Sequence, residues 1–286
     1  MVKNMLNLIR SDFYRMVRMK SFMIILLIIG VMNIATFVAN KAVQSDPAYM
    51  EYMEKAMEEA DSSQPGASDI GMSILVKSDD DGAFDLYKVI KAFVNGYLVL
   101  LFLGIFAVIF VTADFNNGYI KNYGGQLRFR TRIMCSKSIC LAVFTVILFA
   151  VTVLTSCIGL WVGGAKIKVV DAGILCKFLG VELLLHMAFA VVVTAICVIV
   201  RSNLISMALC CCISMNVLNV LYKLLDKGLV KLGWKRADIA HYTVSGRIAQ
   251  YAADQKMLCS TIIVAVAFFA IAMLAGGICL HKKDFV

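Results

Sequence analysis

Six apolar runs dominate this sequence, each close to the about 20 residues that an α-helix needs to cross a hydrocarbon core. Inside lipid every backbone N–H and C=O group needs an internal partner, so runs of this length fold as helices. Of the 286 residues 61% are hydrophobic and only 16% are charged. We therefore predict an all-α polytopic membrane protein with six transmembrane helices, at residues 21–39, 93–113, 139–163, 174–200, 203–222 and 258–280.

The distribution of Lys and Arg orients these helices, because cytoplasmic loops carry the excess of both residues. With six spans, residues 1–20, 114–138, 201–202 and 281–286 share one side, where 13 Lys and Arg face three acids. The other side carries 15 of each charge. Both termini are therefore expected in the cytoplasm, and residues 1–286 form a single membrane domain with a long first extracytoplasmic loop.

The segments outside the spans have distinct characters. Residues 1–20 have apolar residues at helical spacing with basic residues between them, which predicts either an amphipathic interfacial helix or an extension of the first span. Loop 40–92 holds eleven acids against five lysines, and its residues 46–61 read as an acidic helix with one Met-rich face. Loop 223–257 is expected to form short helices at the outer headgroup layer. Its seven Lys and Arg against three acids argue for the cytoplasm instead, in which case the span at 203–222 is wrong.

Several kinds of chemistry have no support in the sequence. ATP binding by a P-loop needs a Gly-Lys pair, and none occurs. The three histidines lie in different segments, and the ten cysteines form no C-x-x-C pair, so we predict no metal site and no catalytic residue. The net charge of +9 is concentrated beside the spans, where it orients helices and meets lipid headgroups, so nucleic acid is not an expected partner.

A few polar side chains fall inside the apolar runs, where they are costly and therefore candidates for function. Glu182 and His186 are one turn apart and share a helix face. They are candidates for a polar pathway through the membrane, or they partner each other or a neighbouring helix. The same two readings apply to the other members of this set, which are Asn33, Asn216 and Asn219.

The stretch "FAVIFVTADFNNGYIKNYGGQLRFRTRIMCSKSI" resembles the second span, cytoplasmic loop and third-span start of ABC-2-type transporter permeases. The family pattern has an acidic-aromatic pair, a Gly, a "G-x-I-K-N" type segment, then an Arg-Thr step and a Lys. The C-terminal "LHKKDFV" is similar to the basic-Asp tail of these proteins. The residues that the resemblance assigns to a loop coupling the subunit to an ATPase are Asp114, Phe115, Gly118, Lys121, Asn122, Arg128, Arg130, Thr131, Arg132 and Lys137.

The resemblance implies a multi-pass permease subunit of a bacterial cell membrane, similar to those that export peptide antibiotics or confer immunity to them. Its expected partners are membrane lipid, an ATP-binding cassette subunit and a second permease, identical or related. The chain itself then needs no cofactor, because ATP and Mg²⁺ are held by the ATPase subunit. The substrate would be a peptide antibiotic or a lipid-like molecule. The alternative is a standalone channel, immunity protein or intramembrane enzyme without an ATPase partner.

Overall fold

A computed structural model of the chain describes residues 2–44, 83–95, 97–116, 118, 131–164, 166–168, 171–231, 239–251 and 255–282. These parts are almost entirely helical, as an all-α membrane protein requires. The helices are α1 Val2–Arg18, α2 Lys20–Gln44, α3 Leu86–Asn95, α4 Leu98–Asn116, α5 Thr131–Val162, α6 Ala172–Val200, α7 Asn203–Ser214, α8 Leu218–Lys231, α9 Val244–Gln250 and α10 Gln255–Lys282. A 3₁₀ turn at Ile239–Tyr242 and two short strands, β1 Ala83–Asp85 and β2 Lys166–Lys168, complete the described elements.

Among the described residues, five helices are long and apolar enough to cross a membrane, namely α2, α4, α5, α6 and α10. The second predicted span starts too early, because Phe93 belongs to the separate helix α3. A break at Tyr97, whose φ is 64°, divides α3 from α4. Hydropathy does not reveal this break, because the apolar run continues across it.

The predicted continuous span at 203–222 is interrupted, and this is a correction to the sequence reading. Helix α7 ends at Ser214, and Asn216 in the following turn has a φ of 55°. Asn is one of the few residues that adopt this left-handed conformation readily. The 12 residues of α7 are shorter than the about 20 that a span usually needs.

Helix α7 nevertheless runs antiparallel beside most of α4. At one end the Thr112 hydroxyl donates to Asn203 Oδ1 at 3.3 Å, and at the other the Asn216 amide donates to the Tyr97 hydroxyl at 3.0 Å. Gly104 allows the close approach between them, since a Cβ atom there would lie 2.3 Å from the sulfur of Cys210. We name the end of the bundle near Thr112 the α1 side, because α1 packs there, and the opposite end the α3 side.

The N-terminal segment is a separate helix rather than an extension of the first span, since Met19 is non-helical between α1 and α2. Its buried face presents Leu8, Asp12 and Met16 to the protein. Phe13 and Val17, on the predicted apolar stripe, are instead 40% and 43% exposed. Helix α1 therefore has one face that packs on the bundle and a second, apolar strip that is exposed.

Short elements close the α3 side of the bundle. Strands β1 and β2 pair in parallel, with Phe84 opposite Ile167. Helix α9 is buried from Val244 to Ile248, so this part of loop 223–257 packs into the protein instead of lying at its surface. The Asn95 amide joins α3 to the end of α9 through a 3.0 Å hydrogen bond to the carbonyl of Tyr251. The predicted acidic helix at 46–61 lies outside the described residues.

Candidate functional site

The α1 side holds a buried cluster of four charged side chains, which we call the four-charge cluster: Asp12, Arg15, Asp114 and Lys137. The Lys137 ammonium lies 2.7 Å from Asp114 Oδ2 and 3.2 Å from Asp12 Oδ1. The directions of these contacts are not those of hydrogen bonds, so they count as ion pairs. Arg15 Nη1 donates to Asp114 Oδ1 at 2.9 Å, and its other terminal nitrogen donates to Asp12. Two cations thus balance two carboxylates.

The cluster is well removed from water and has further partners. The side chains of Asp12, Asp114 and Lys137 are 1%, 8% and 3% exposed, while that of Arg15 is 25% exposed. The hydroxyl of Ser136 donates to Asp12 Oδ2 at 2.5 Å, and the Lys137 ammonium lies 3.9 Å from the centre of the Phe110 ring. Such buried pairs are held in one arrangement, because removing a single partner strands a charge in a low-dielectric environment.

The ionisation of Arg15 reflects these surroundings. Burial alone would lower its pKa, but the carboxylates of Asp114 and Asp12 outweigh this, so the pKa of Arg15 is raised above its ordinary value. The guanidinium therefore stays cationic well above neutral pH.

The cluster joins α1 to the two helices that flank one loop. Asp114 lies near the end of α4 and Lys137 near the start of α5, and residues 117–130 connect these helices. Asp12 and Arg15 bring α1 onto both. An open cleft of about 250 Å³ lies between α1 and α4 beside Arg15 and Asp114. A displacement of the connecting loop would therefore act on α1 through ion pairs in addition to its apolar contacts.

Not all the predicted coupling residues can be placed. Lys121, Asn122, Arg128 and Arg130 lie outside the described residues.

The other predicted coupling residues that the structure describes lie around the four-charge cluster but do not belong to it. Gly118 has a φ of 69°, and the Phe115 ring lies 6.0 Å from the guanidinium carbon of Arg201. Thr131 is exposed and Arg132 is half-buried at the start of α5. Helix α10 approaches this end closely, because a Cβ atom at Gly277 would lie 3.0 Å from the Thr131 methyl group.

Sequence reasoning missed Asp12, Arg15 and Ser136 as partners of Asp114 and Lys137. A usable signal was present, because Asp12 occupies the middle of a buried series spaced by four residues, Leu8, Asp12 and Met16. A lone acid on the apolar face of a helix requires a buried cation nearby.

The second group of interest is the Glu182 and His186 pair inside α6. Both side chains are fully buried, and His186 Nδ1 lies 2.8 Å from the carbonyl oxygen of Glu182 and 3.5 Å from its Oε2. Within the part of the chain that the structure describes, neither carboxyl oxygen of Glu182 has a hydrogen-bond partner, and neither has His186 Nε2. The two residues do share a helix face, but their polar atoms are not fully paired.

The remaining pathway candidates are not part of this pair. The Asn33 amide donates to Thr155 Oγ1 at 2.9 Å, joining α2 to α5. Asn216 lies in the turn after α7 and donates to the Tyr97 hydroxyl, whereas Asn219 belongs to helix α8. The four candidates whose side chains the structure describes therefore form no single hydrogen-bonded pathway.

The described residues include no group of three His, Cys, Asp or Glu side chains that could hold a metal ion. The two sites are instead groups of charged and polar side chains. One is the four-charge cluster on the α1 side, and the other is the Glu182–His186 pair in α6, whose acceptor atoms have no partner among the described residues. The chain matches no protein-family model, and no curated protein matches it at a significant level.

Proposed function

We propose that this chain is the membrane-spanning permease subunit of an ABC transporter of the ABC-2 type, an exporter driven by a separate ATP-binding subunit. The single observation that best supports this function is the four-charge cluster. It links the amphipathic helix α1 to both helices that flank the loop at 117–130, which is the loop expected to bind the ATPase. ATP and Mg²⁺ would be held by that ATP-binding subunit. The complex would lie in a bacterial plasma membrane.

The cluster suits the transmission of movement between subunits. When an ATPase shifts the loop, Asp114 and Lys137 shift with the ends of α4 and α5. Because Asp12 and Arg15 are paired to them, α1 follows as a rigid body. Packed elements joined in this way switch between discrete arrangements rather than deforming continuously.

The proposal includes six crossings with both termini in the cytoplasm. Its support is the path of α7, which runs beside α4 from Thr112 to Tyr97 and so covers the same depth in spite of its length. The turn at Asn216 would then lie at the outer surface, and α8 beyond it on the outside.

A labelling experiment tests this topology. In a variant whose ten native cysteines are replaced, a cysteine at the exposed Lys227 of α8 should react with a membrane-impermeant maleimide in intact cells. A cysteine at the exposed Arg10 of α1 should react only after the membrane is permeabilised. If both cysteines react from the same side, α7 does not cross and the six-span topology is wrong.

Co-purification tests the function itself. The tagged chain, co-expressed with the ATP-binding protein encoded by a neighbouring gene, should retain that protein after detergent extraction. Replacing residues 118–132 by a Gly-Ser linker of equal length should abolish the association, whereas the same treatment of residues 163–170, on the α3 side, should not. Retention of the ATPase by both variants, or by neither, contradicts the assigned docking loop.

A wild-type chain that binds no ATP-binding protein would instead support the standalone alternative, a channel, immunity protein or intramembrane enzyme.

A further inference from the structure

The Glu182 and His186 pair presents acceptor atoms to its surroundings. A carbonyl oxygen can only accept, so the 2.8 Å contact between His186 Nδ1 and the Glu182 carbonyl places a proton on Nδ1. In the neutral imidazole Nε2 is then an acceptor. The two carboxyl oxygens of Glu182 can accept as well, and the buried hydroxyl of Tyr251 can accept or donate. None of these four atoms has a hydrogen-bond partner among the described residues.

Buried polar atoms without partners are rare in folded proteins, and several together usually mark a place that a ligand or water completes. A group that completes this set must donate hydrogen bonds, and a positive charge on it would stabilise the ionised form of Glu182 inside the span. An ammonium group meets both requirements, with up to three N–H donors on one atom.

Aromatic rings surround the pair. The Phe149 ring meets the His186 ring edge-on, with the ring centres 4.9 Å apart. Phe178, one turn before Glu182 on α6, packs on Tyr251 at 6.0 Å and on Tyr87 at 5.4 Å. Ring faces attract ammonium ions, so an ammonium ion that contacted the face of one of these rings would be stabilised.

An apolar groove lies next to the pair, between α5 and α6. Its volume is about 470 Å³, and Phe149 forms part of its wall together with Leu179, Gly180 and Leu183. At about 100° per residue, His186 lies about 20° and Glu182 about 60° around α6 from Leu179. Phe149 both lines the groove and contacts the His186 ring, so a ligand that reaches the pair from the groove must displace this one ring.

The groove faces away from the core at a depth where lipid is expected. Its α6 residues lie about 10 to 17 Å along the helix from Ala172, within the apolar part of the span. A Cβ atom at Gly180 would meet nothing within 4 Å, so the missing side chain leaves open space. An occupant at this depth must be a hydrocarbon chain, because no water is available there to solvate a polar one.

We propose that the groove and the Glu182–His186 pair form one binding site for an amphiphilic amine, whose hydrocarbon chain occupies the groove and whose ammonium group donates to Glu182 and His186. Binding needs no ATPase, but the use of such a molecule as the transported substrate rests on the function proposed above. The exported molecule would then be a hydrophobic amine, such as a lipid-like amine or a peptide with a free amino group.

Photolabelling tests the site. The probe is dodecylamine with a diazirine in its chain, added to the intact protein in phosphatidylcholine nanodiscs, whose headgroup has no N–H donor. Peptide mapping should place the label on residues 146–154 and 179–183. Unlabelled dodecylamine should compete, and dodecanol and dodecyltrimethylammonium should compete roughly tenfold less well, because neither combines positive charge with N–H donors.

Two variants and a control complete the test. Glu182→Gln should weaken labelling by roughly tenfold or more, since the carboxylate is the charged partner. Gly180→Leu, at an exposed position, should block the chain without disturbing the pair. Asp171→Asn, an exposed acid before α6, should leave labelling unchanged. Equal competition by dodecanol, or full labelling of both Glu182→Gln and Gly180→Leu, overturns the proposal.

This outcome is separate from that of the co-purification experiment. Loss of labelling specificity would leave an ATPase association intact, and a chain without an ATPase partner could still bind the amine.

Discussion

Replacing Lys137 by Met tests the four-charge cluster most sharply. The substitution keeps most of the side-chain volume, and among the described residues it leaves Arg15 as the only cation paired with Asp12 and Asp114. Asp12 is 1% exposed and Asp114 8%, so water cannot compensate for the lost ammonium. Breaking a buried ion pair from one side costs about 3 to 5 kcal/mol, and we expect the free energy of unfolding to fall by that amount.

The assay is unfolding of the purified protein in dodecyl maltoside by increasing fractions of SDS, followed by circular dichroism. Lys177→Met is the matched control, because Lys177 is exposed on α6 and a surface substitution of this kind changes stability by about 0.5 kcal/mol or less. The double variant Asp114→Asn with Lys137→Met should lose less than the sum of the two single variants, since it removes the partners together. If Lys137→Met unfolds like Lys177→Met, the buried ion pairs do not hold α1 in place.

The remaining predictions concern the α7 contact and the α3 side. Gly104→Ala should destabilise the protein by about 1 to 3 kcal/mol, because its Cβ atom would lie 2.3 Å from the Cys210 sulfur, and Cys210→Ala should restore most of the loss in the same unfolding assay. Tyr97→Phe should cost about 1 to 3 kcal/mol by leaving the buried Asn216 amide without its acceptor, and an unchanged unfolding curve would contradict the contact that aligns α7 with α4. Burial, and to a smaller extent the nearby side chains of Glu182 and Tyr87, raise the pKa of Tyr251 above its ordinary value of 10.0. The folded protein thus holds this proton more tightly, so stability should fall as the pH rises above about 10, and Tyr251→Phe should flatten that part of the stability profile.

Hydropathy predicted where the long helices lie because lipid leaves apolar runs only one way to pair their backbone groups. It could not predict the breaks at Tyr97 and Asn216, since both lie within continuing apolar runs and depend on the local backbone conformation. The parallel pairing of β1 with β2 joins three-residue segments that are far apart in sequence, and segments this short carry no periodic signal.

The candidate sites were predictable to different degrees. Asp114 and Lys137 came from a family resemblance, which assigned them to a loop but could not show that they pair with each other. Their partner Asp12 could have been found from its position on the buried face of α1. Glu182 and His186 were selected because ionisable groups are costly in a span. The groove beside them depends on how α5 and α6 pack, and no local sequence pattern predicts that packing.

The central claim is that a separate ATP-binding subunit contacts the chain at the α1 side. The photoreactive residue p-benzoylphenylalanine can be placed at Arg132, near the start of α5, and in a second variant at Trp161, near its other end. These positions are about 44 Å apart along one helix, and Trp161 is 76% exposed. Irradiated native membranes should yield a cross-link from position 132 to an ATP-binding protein and none from position 161. A cross-link to that protein from position 161, or none from position 132 in a variant that remains active in the cell, would contradict the account.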